Sequence, residues 1–247
     1  MPSASVKTAV PIRRRSSQRR RALRRLAVIA ASALALVTAV VVAARAGGEP
    51  EPVVAEQRSE VIGRFAGIPQ DGIALGAAGA PATLVEFADL QCPFCAVYAR
   101  DVLPAVLERY VRPGTLRLEL NVLAFLGEDS VRAGRMAAAA ARQNRLWTFA
   151  DAFYLDQGTE NTGYVTDEFL RSAGGAAGLD VGMALRQRGE PAAERQLESA
   201  RQAADRLGVK STPSFYVRSG SGAPRAVEPA DLTPEAFTAA LDEALGA

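Results

Sequence analysis

The chain of 247 residues contains no histidine. That absence removes imidazole from every role: no Ser-His-Asp relay, no His-based general acid or base, and no His-containing metal site. Cysteine is nearly as scarce, occurring only at Cys92 and Cys95. One chain therefore cannot build a four-thiolate zinc or iron–sulfur site, and Ala96 stands where a c-type haem attachment needs histidine. Acidic residues are missing from the first 45 positions, which hold ten of the 29 basic residues and none of the 27 acidic ones. The remainder then carries 19 basic against 27 acidic side chains, a balance that argues against nucleic acid as a partner. With 49% hydrophobic residues at this length, the chain has material for a real core. It is neither a disordered segment nor a small disulfide scaffold.

The basic tail leads into Leu26–Ala44, 19 residues without a charge. As a helix this run spans roughly 28 Å, close to the ~30 Å hydrocarbon core of a bilayer. Eight arginines lie upstream between Arg13 and Arg25, which keeps the N-terminus cytoplasmic by the positive-inside rule and sends the body outside. Residues 1–25 thus read as a cytoplasmic tail and residues 26–44 as a single-pass transmembrane anchor. Ala44-Arg45-Ala46 has the small-x-small form of a signal-peptidase site, so secretion after cleavage near Ala46 is the competing expectation. On either reading the body works where disulfides persist. Residues 45–62, with Pro50, Pro52 and several glutamates, read as a linker.

In the body, Ile73–Leu75 is a short strand candidate and Thr83–Ala88 a stronger one, a compact apolar run entered from Pro81. Apolar residues then recur at helical spacing from Phe94 to Tyr110, with Pro104 inside the stretch to kink it. Leu116–Leu123 alternates as a second strand, which makes strand, helix, strand: one βαβ unit. From 129 to 207 the pattern is almost purely helical, with Ser130 or Asp129 as a cap for a helix to Gln143, a helix Arg145–Leu155, and one opened by Thr166 and ended by Gly174-Gly175. Helices at Leu179–Leu185 and Ala192–Leu207 follow. The chain closes with strands at Ser214–Val217 and Arg225–Val227 and a helix from Thr233 to Leu245. The four aromatics Trp147, Phe149, Phe153 and Tyr154 suit either a substrate groove or, with such helical spacing, the core of the helical region.

The two cysteines fall just after the first long strand, at the start of its helix. Helix N-terminal N–H groups favour an anion, so a thiolate at Cys92 is stabilised there and its pKa lowered. Two intervening residues, Pro93 and Phe94, bring both sulfurs within bonding reach across one turn. Cys92 can then attack a substrate disulfide or yield its own, and Cys95 can resolve the mixed disulfide. The plainer reading is a stabilising bridge, but closing so short a loop contributes roughly 2 kcal/mol, and a bridge meant for stability more usefully ties distant segments.

Residues 86–95 (EFADLQCPFC) resemble the active-site segment of the DsbA-like thioredoxin-fold thiol–disulfide oxidoreductases, and residues 208–215 (GVKSTPSF) are similar to a second segment of that family. The resemblance runs from about Gly63 to Leu245. It implies an α/β, thioredoxin-like fold with an inserted α-helical domain: residues 63–128 and 191–247 as its two parts, residues 129–190 as the insertion. It implies further that Cys92 is the exposed nucleophile, Cys95 the buried resolving cysteine, and the pair a redox-active disulfide. Thr212-Pro213 would form the cis-proline loop that offers backbone to an extended substrate; the competing reading is a trans proline opening an edge strand. Glu86 lies where such proteins carry a buried acid, and burial would raise its pKa to suit a proton relay to Cys95. The competing reading turns its carboxylate outward on a half-solvated strand.

No cofactor and no metal are implied. The partners implied are exported cysteine-containing proteins and a quinone-linked membrane reoxidase, with the membrane contacted through residues 26–44. One position departs from the family: its best-known members carry histidine between the cysteines, where this chain has Phe94. Losing that donor predicts a less acidic Cys92 and a less oxidising disulfide than theirs. The leading expectation is a dithiol oxidase. A disulfide reductase or isomerase on the same scaffold is the alternative, and a membrane-tethered binding or chaperone module without redox turnover is a third.

Overall fold

The computed structural model describes residues 52–220 and 222–246, with side chains described from residue 58 onward. The expected tail, anchor and cleavage site therefore lie outside the described residues. Among the described residues no helix is long and apolar enough to cross a membrane.

The core strand β3 (Ala82–Asp89) is buried almost throughout, which accounts for its continuous apolar run. It pairs in parallel with β4 (Leu116–Leu123), placing Glu86 opposite Leu120, and antiparallel with β5 (Ser214–Ser219), placing Glu86 opposite Phe215. Two short strands, β1 (Gln70–Asp71) and β2 (Ala74–Leu75), extend the sheet beyond β4, and β6 (Arg225–Val227) extends it beyond β5. The order is β1-β2-β4-β3-β5-β6. Alternation along β3 sends Val85 and Phe87 to one face, where they pack with Ala200 and Ala204 of α7 (Pro191–Leu207). Leu84 and Ala88 point to the other face, into the main core.

That second face is covered by α2, a continuous helical stretch over residues 93–111 that connects β3 to β4. Just before Pro104 it widens into a π turn at Tyr98–Val102, where the Leu103 N–H reaches back to the carbonyl of Tyr98. The wide turn opens the ladder where proline supplies no donor. A second π turn closes the stretch at Leu107–Val111. Helix α8 (Pro234–Leu245), capped by Thr233, packs on the same face: Phe237 lies against Tyr98 and Phe215 with ring centroids 5.0 and 4.8 Å apart.

Between β4 and α7 run α3 (Glu128–Arg142), α4 (Leu146–Leu155), α5 (Asp167–Ala176) and α6 (Val181–Gln187). Trp147, Phe149, Phe153 and Tyr154 are all buried here, so they are core and not groove. Three local expectations need correction. The cap of α3 is neither Ser130 nor Asp129 but Gly127 at φ 106°; both polar side chains are drawn into bonds with other loops instead. Gly174 and Gly175 do not end α5, which runs to Ala176 and stops at Gly178, where φ is 74°. Residues 52–62, read as linker, belong to a helix α1 (Pro52–Arg64). Val61 and Phe65 explain it, since both are buried and hold this segment to the body.

Candidate active site around Cys92

Cys92 occupies the N-cap of α2 with extended backbone (φ −69°, ψ 120°), and Pro93 begins the helix where a missing N–H leaves no bond unmade. The Ala96 N–H closes the first turn on the Cys92 carbonyl at 3.2 Å. Opposite, the Thr212–Pro213 peptide is cis, and the Cys92 sulfur lies 3.2 Å from the Thr212 carbonyl oxygen. Phe94, 63% exposed, stands over the open side.

The expectation of an exposed Cys92 needs amending. It is only 5% exposed, because the 212–213 loop packs against its sulfur; Cys95 is fully buried, as expected of the resolving cysteine. Both thiols are free. Their chemistry is nonetheless split. A hydrogen bond from the Cys95 thiol, helped by the Thr212 side chain and the amides of Cys95 and Phe94, outweighs burial and brings Cys92 down to about 6. Burial, with the hydrogen bond to Cys92 and the nearby charges of Cys92 and Glu86, pushes Cys95 well above the ordinary thiol range. At neutral pH Cys92 is a thiolate and Cys95 a thiol. A value of about 6 lies below that of a free thiol.

Glu86 is inward-facing and 3% exposed, and burial raises its carboxyl to about 8. It shares the α2 face of β3 with the buried Tyr98, and its charge acts on Cys95. The structure thus brings Glu86, Cys92, Pro93, Phe94, Cys95, Thr212 and Pro213 into one region, with the acid on the buried side of the cysteines and the proline loop on the open side.

What sequence inspection passed over is the frame that fixes the turn between β3 and α2. Asp89, wholly buried, accepts from four donors: the Gln91 N–H (2.9 Å) and Ser130 hydroxyl (2.7 Å) at Oδ1, and the Phe125 (2.7 Å) and Leu126 (3.1 Å) N–H groups at Oδ2. Gln91 donates to the Ser130 hydroxyl at 2.8 Å and accepts from the Asn161 N–H at 2.8 Å. Gln157 donates to the carbonyls of Leu90 (2.8 Å) and Cys92 (3.2 Å). The helical region therefore reaches across and holds the cysteine turn. Gly127 permits this close approach, because a Cβ there would sit 2.5 Å from Asn161 Oδ1. The only sequence signal was polar residues (Asp89, Gln91) between an apolar strand and a helix.

An open groove of about 400 Å³ adjoins the cysteines, bounded by Phe94, the 211–214 loop and the segment that carries Glu228 and Leu232. It has the size and openness for an extended peptide. Among the described residues no group of three cysteine or acidic side chains is placed to hold a metal ion.

Comparisons with known proteins agree with this geometry. The family described as thioredoxin matches residues 69–243. A probable disulfide bond formation protein D of Bacillus cereus is 28% identical over 147 residues, 58% of this chain and 68% of that protein. The oxidised crystal structure of BdbD from Bacillus subtilis superposes with a TM-score of 0.62 at 18% identity, covering 73% of this chain and 98% of that one, a likeness of fold. A thioredoxin-like oxidoreductase from Silicibacter pomeroyi covers 75% of this chain and 98% of its own at 25% identity and a TM-score of 0.56. With both cysteines at the head of α2 and a cis-proline loop against them, this chain belongs to the thioredoxin family and is a protein disulfide oxidoreductase.

Proposed function

We propose that the chain is an extracytoplasmic dithiol oxidase that introduces disulfides into exported proteins through a Cys92–Cys95 redox pair. The observation that supports this reading is the split between the two sulfurs, a thiolate against the Thr212–Pro213 loop and a fully buried thiol behind it. A pair whose reduced form gains a stabilised thiolate holds electrons more readily, so its disulfide is the more oxidising.

The steps balance as follows. A substrate thiolate attacks Cys92 Sγ of the disulfide, the Cys92–Cys95 bond breaks, and Cys95 leaves with the electron pair. Glu86, neutral at pH 7 because burial raises it to about 8, gives Cys95 its proton. The substrate's second thiol, as thiolate, attacks the substrate sulfur of the mixed disulfide, and Cys92 leaves as a thiolate. The substrate has lost two electrons and the pair has gained them. A quinone-linked membrane reoxidase is the acceptor we assign, and residues 26–44 the anchor that keeps the body beside it. In this reading residues 63–128 and 191–247 are the two parts of the thioredoxin unit, and residues 129–190 the insertion that braces the cysteine turn.

Phe94 in the histidine position favours a second reading, a reductase or isomerase with a lower potential. The two are separated by equilibrating the pair with glutathione and by mixing the oxidised chain with a reduced, unfolded dithiol protein. The oxidase reading expects a potential on the DsbA side of the scale, near −120 mV more than −270 mV. It also expects rapid oxidation of the dithiol protein and a mixed disulfide that accumulates on Cys92 when Cys95→Ser is used. A potential near that of thioredoxin overturns it in favour of the reductase, and full function in Cys92→Ser points to the binding module.

A further inference from the structure

Glu86 has a second buried acid beside its cavity. Asp151, on α4, is 2% exposed. Its Oδ1 accepts from Arg64 of α1 at 2.6 Å, and Arg64 in turn reaches the exposed Glu60 at 3.2 Å. Its other oxygen, Oδ2, is buried without a hydrogen-bond partner, and so is the hydroxyl of Tyr98 on α2. Both residues line one small enclosed cavity, and Glu86 lines it too. Leaving a buried oxygen unpaired costs about 1–3 kcal/mol, and the usual remedy in proteins is a buried water with two to four polar partners. The cavity is about 10 Å³, about the room for one water.

We propose that Glu86, Asp151 and Tyr98 share a bound water in this cavity, which makes Asp151 a positioning residue that sets the protonation of Glu86. The inference rests on the reading of Glu86 as the proton partner of Cys95. In the resolving step Cys95 takes the proton of Glu86; the shared water then protonates the Glu86 carboxylate and recovers its proton from Asp151. Asp151 is linked to the surface through its ion pair with the part-exposed Arg64, and along that side it is reprotonated from solvent. No electrons move in this relay.

The electrostatics suit the role. Burial lifts Asp151 to about 7, against the pull of Arg64 and with a push from Glu60; Glu86, lifted by burial alone, stands at about 8. The other titratable groups around the pair are Tyr98 and Cys95 from α2 and Tyr154 from α4 itself, whose hydroxyl donates to the Asp89 carbonyl at 3.4 Å. The two acids titrate close to one another and to neutral pH, so a proton passes between them with little driving force needed either way.

The chain supplies its own reporter. Trp147, its one tryptophan, lines the same cavity, with its indole N–H held on the Ile73 carbonyl at 2.9 Å. Fluorescence of the oxidised full chain between pH 5 and 9.5 is expected to show two transitions, of which Glu86→Gln abolishes the upper. Asp151→Asn should abolish the lower one and also move the upper midpoint down by at least about half a pH unit, because a negative charge has left the site and Arg64 is no longer neutralised. Arg64→Gln, at a part-exposed position, should move the lower midpoint up; this second variant keeps the test open if Asp151→Asn does not fold. An upper midpoint unchanged in folded Asp151→Asn, or a lower midpoint unchanged in Arg64→Gln, overturns the proposal. The titration needs no turnover, so an inactive chain with linked transitions would sink the oxidase reading and leave this one standing.

Discussion

The most direct perturbation of the buried acid is Glu86→Gln, read as stability against pH. In the unfolded chain this carboxyl titrates near 4.5, and in the folded protein near 8. Between those values the folded state binds the proton and the unfolded state does not, so stability falls as pH rises through that window. The sign is opposite to that of a salt-bridged carboxylate. Converted at 1.36 kcal/mol per pH unit, the penalty is near zero at pH 4, about 3 kcal/mol at pH 7 and about 5 kcal/mol once pH exceeds 8. Glutamine keeps the shape and cannot ionise. The variant should therefore match the wild type near pH 4 and exceed it by those amounts at pH 7 and above. Urea unfolding of the oxidised proteins at pH 4, 7 and 8.5 measures this, with the thiols out of the titration. Asp151 adds a slope of the same sign in both proteins; coupled to Glu86 by about half a pH unit, it leaves a remainder of about 0.7 kcal/mol in the difference, small beside the effect sought. Curves that stay parallel from pH 4 to 8.5 would refute the reasoning and return Glu86 to a solvated, outward-facing role.

Asp89→Ala should cost about 3 kcal/mol, because two buried and two part-buried donors lose their acceptor at once; urea midpoints at pH 7 test it, and slower thiol exchange in whatever remains folded would show that the cysteine turn had slackened. Phe94→His adds a donor at an exposed position beside the sulfur and should move the Cys92 thiolate midpoint below its present value of about 6, read by thiolate absorbance near 240 nm; an unchanged midpoint would mean that the side chain at 94 does not reach the thiolate.

Local pattern carried much of this protein. The apolar run at 83–88, the alternation at 116–123 and the helical spacing after Phe94 place β3, β4 and α2 to within a residue or two, because those signals are written by burial on one or both faces of an element. The candidate site was legible for the same reason: two cysteines at a strand-to-helix turn and one acid inside an apolar strand are local statements. Caps were less so. Ser130 and Asp129 are good caps in isolation, yet they are claimed by partners 41 and 34 residues away respectively. The helix at Pro52–Arg64 was hidden because Pro50 and Pro52 mark its start as linker and the buried residues that hold it, Val61 and Phe65, come near and just past its end.

The amino-acid sequence alone determined the redox chemistry of this chain, by withholding histidine and every cysteine but two and by setting those two at the head of a helix. Tertiary structure decided how that chemistry is tuned. A proline loop 120 residues away closes over Cys92, so its sulfur is sheltered and still acidic. Packing of α2 and α4 against β3, more than any neighbour in sequence, turns Glu86 inward and gives it Asp151 and Tyr98 as company. Ionisation is governed by desolvation and by distances of a few ångströms, and those are fixed only when segments far apart in the chain have packed together.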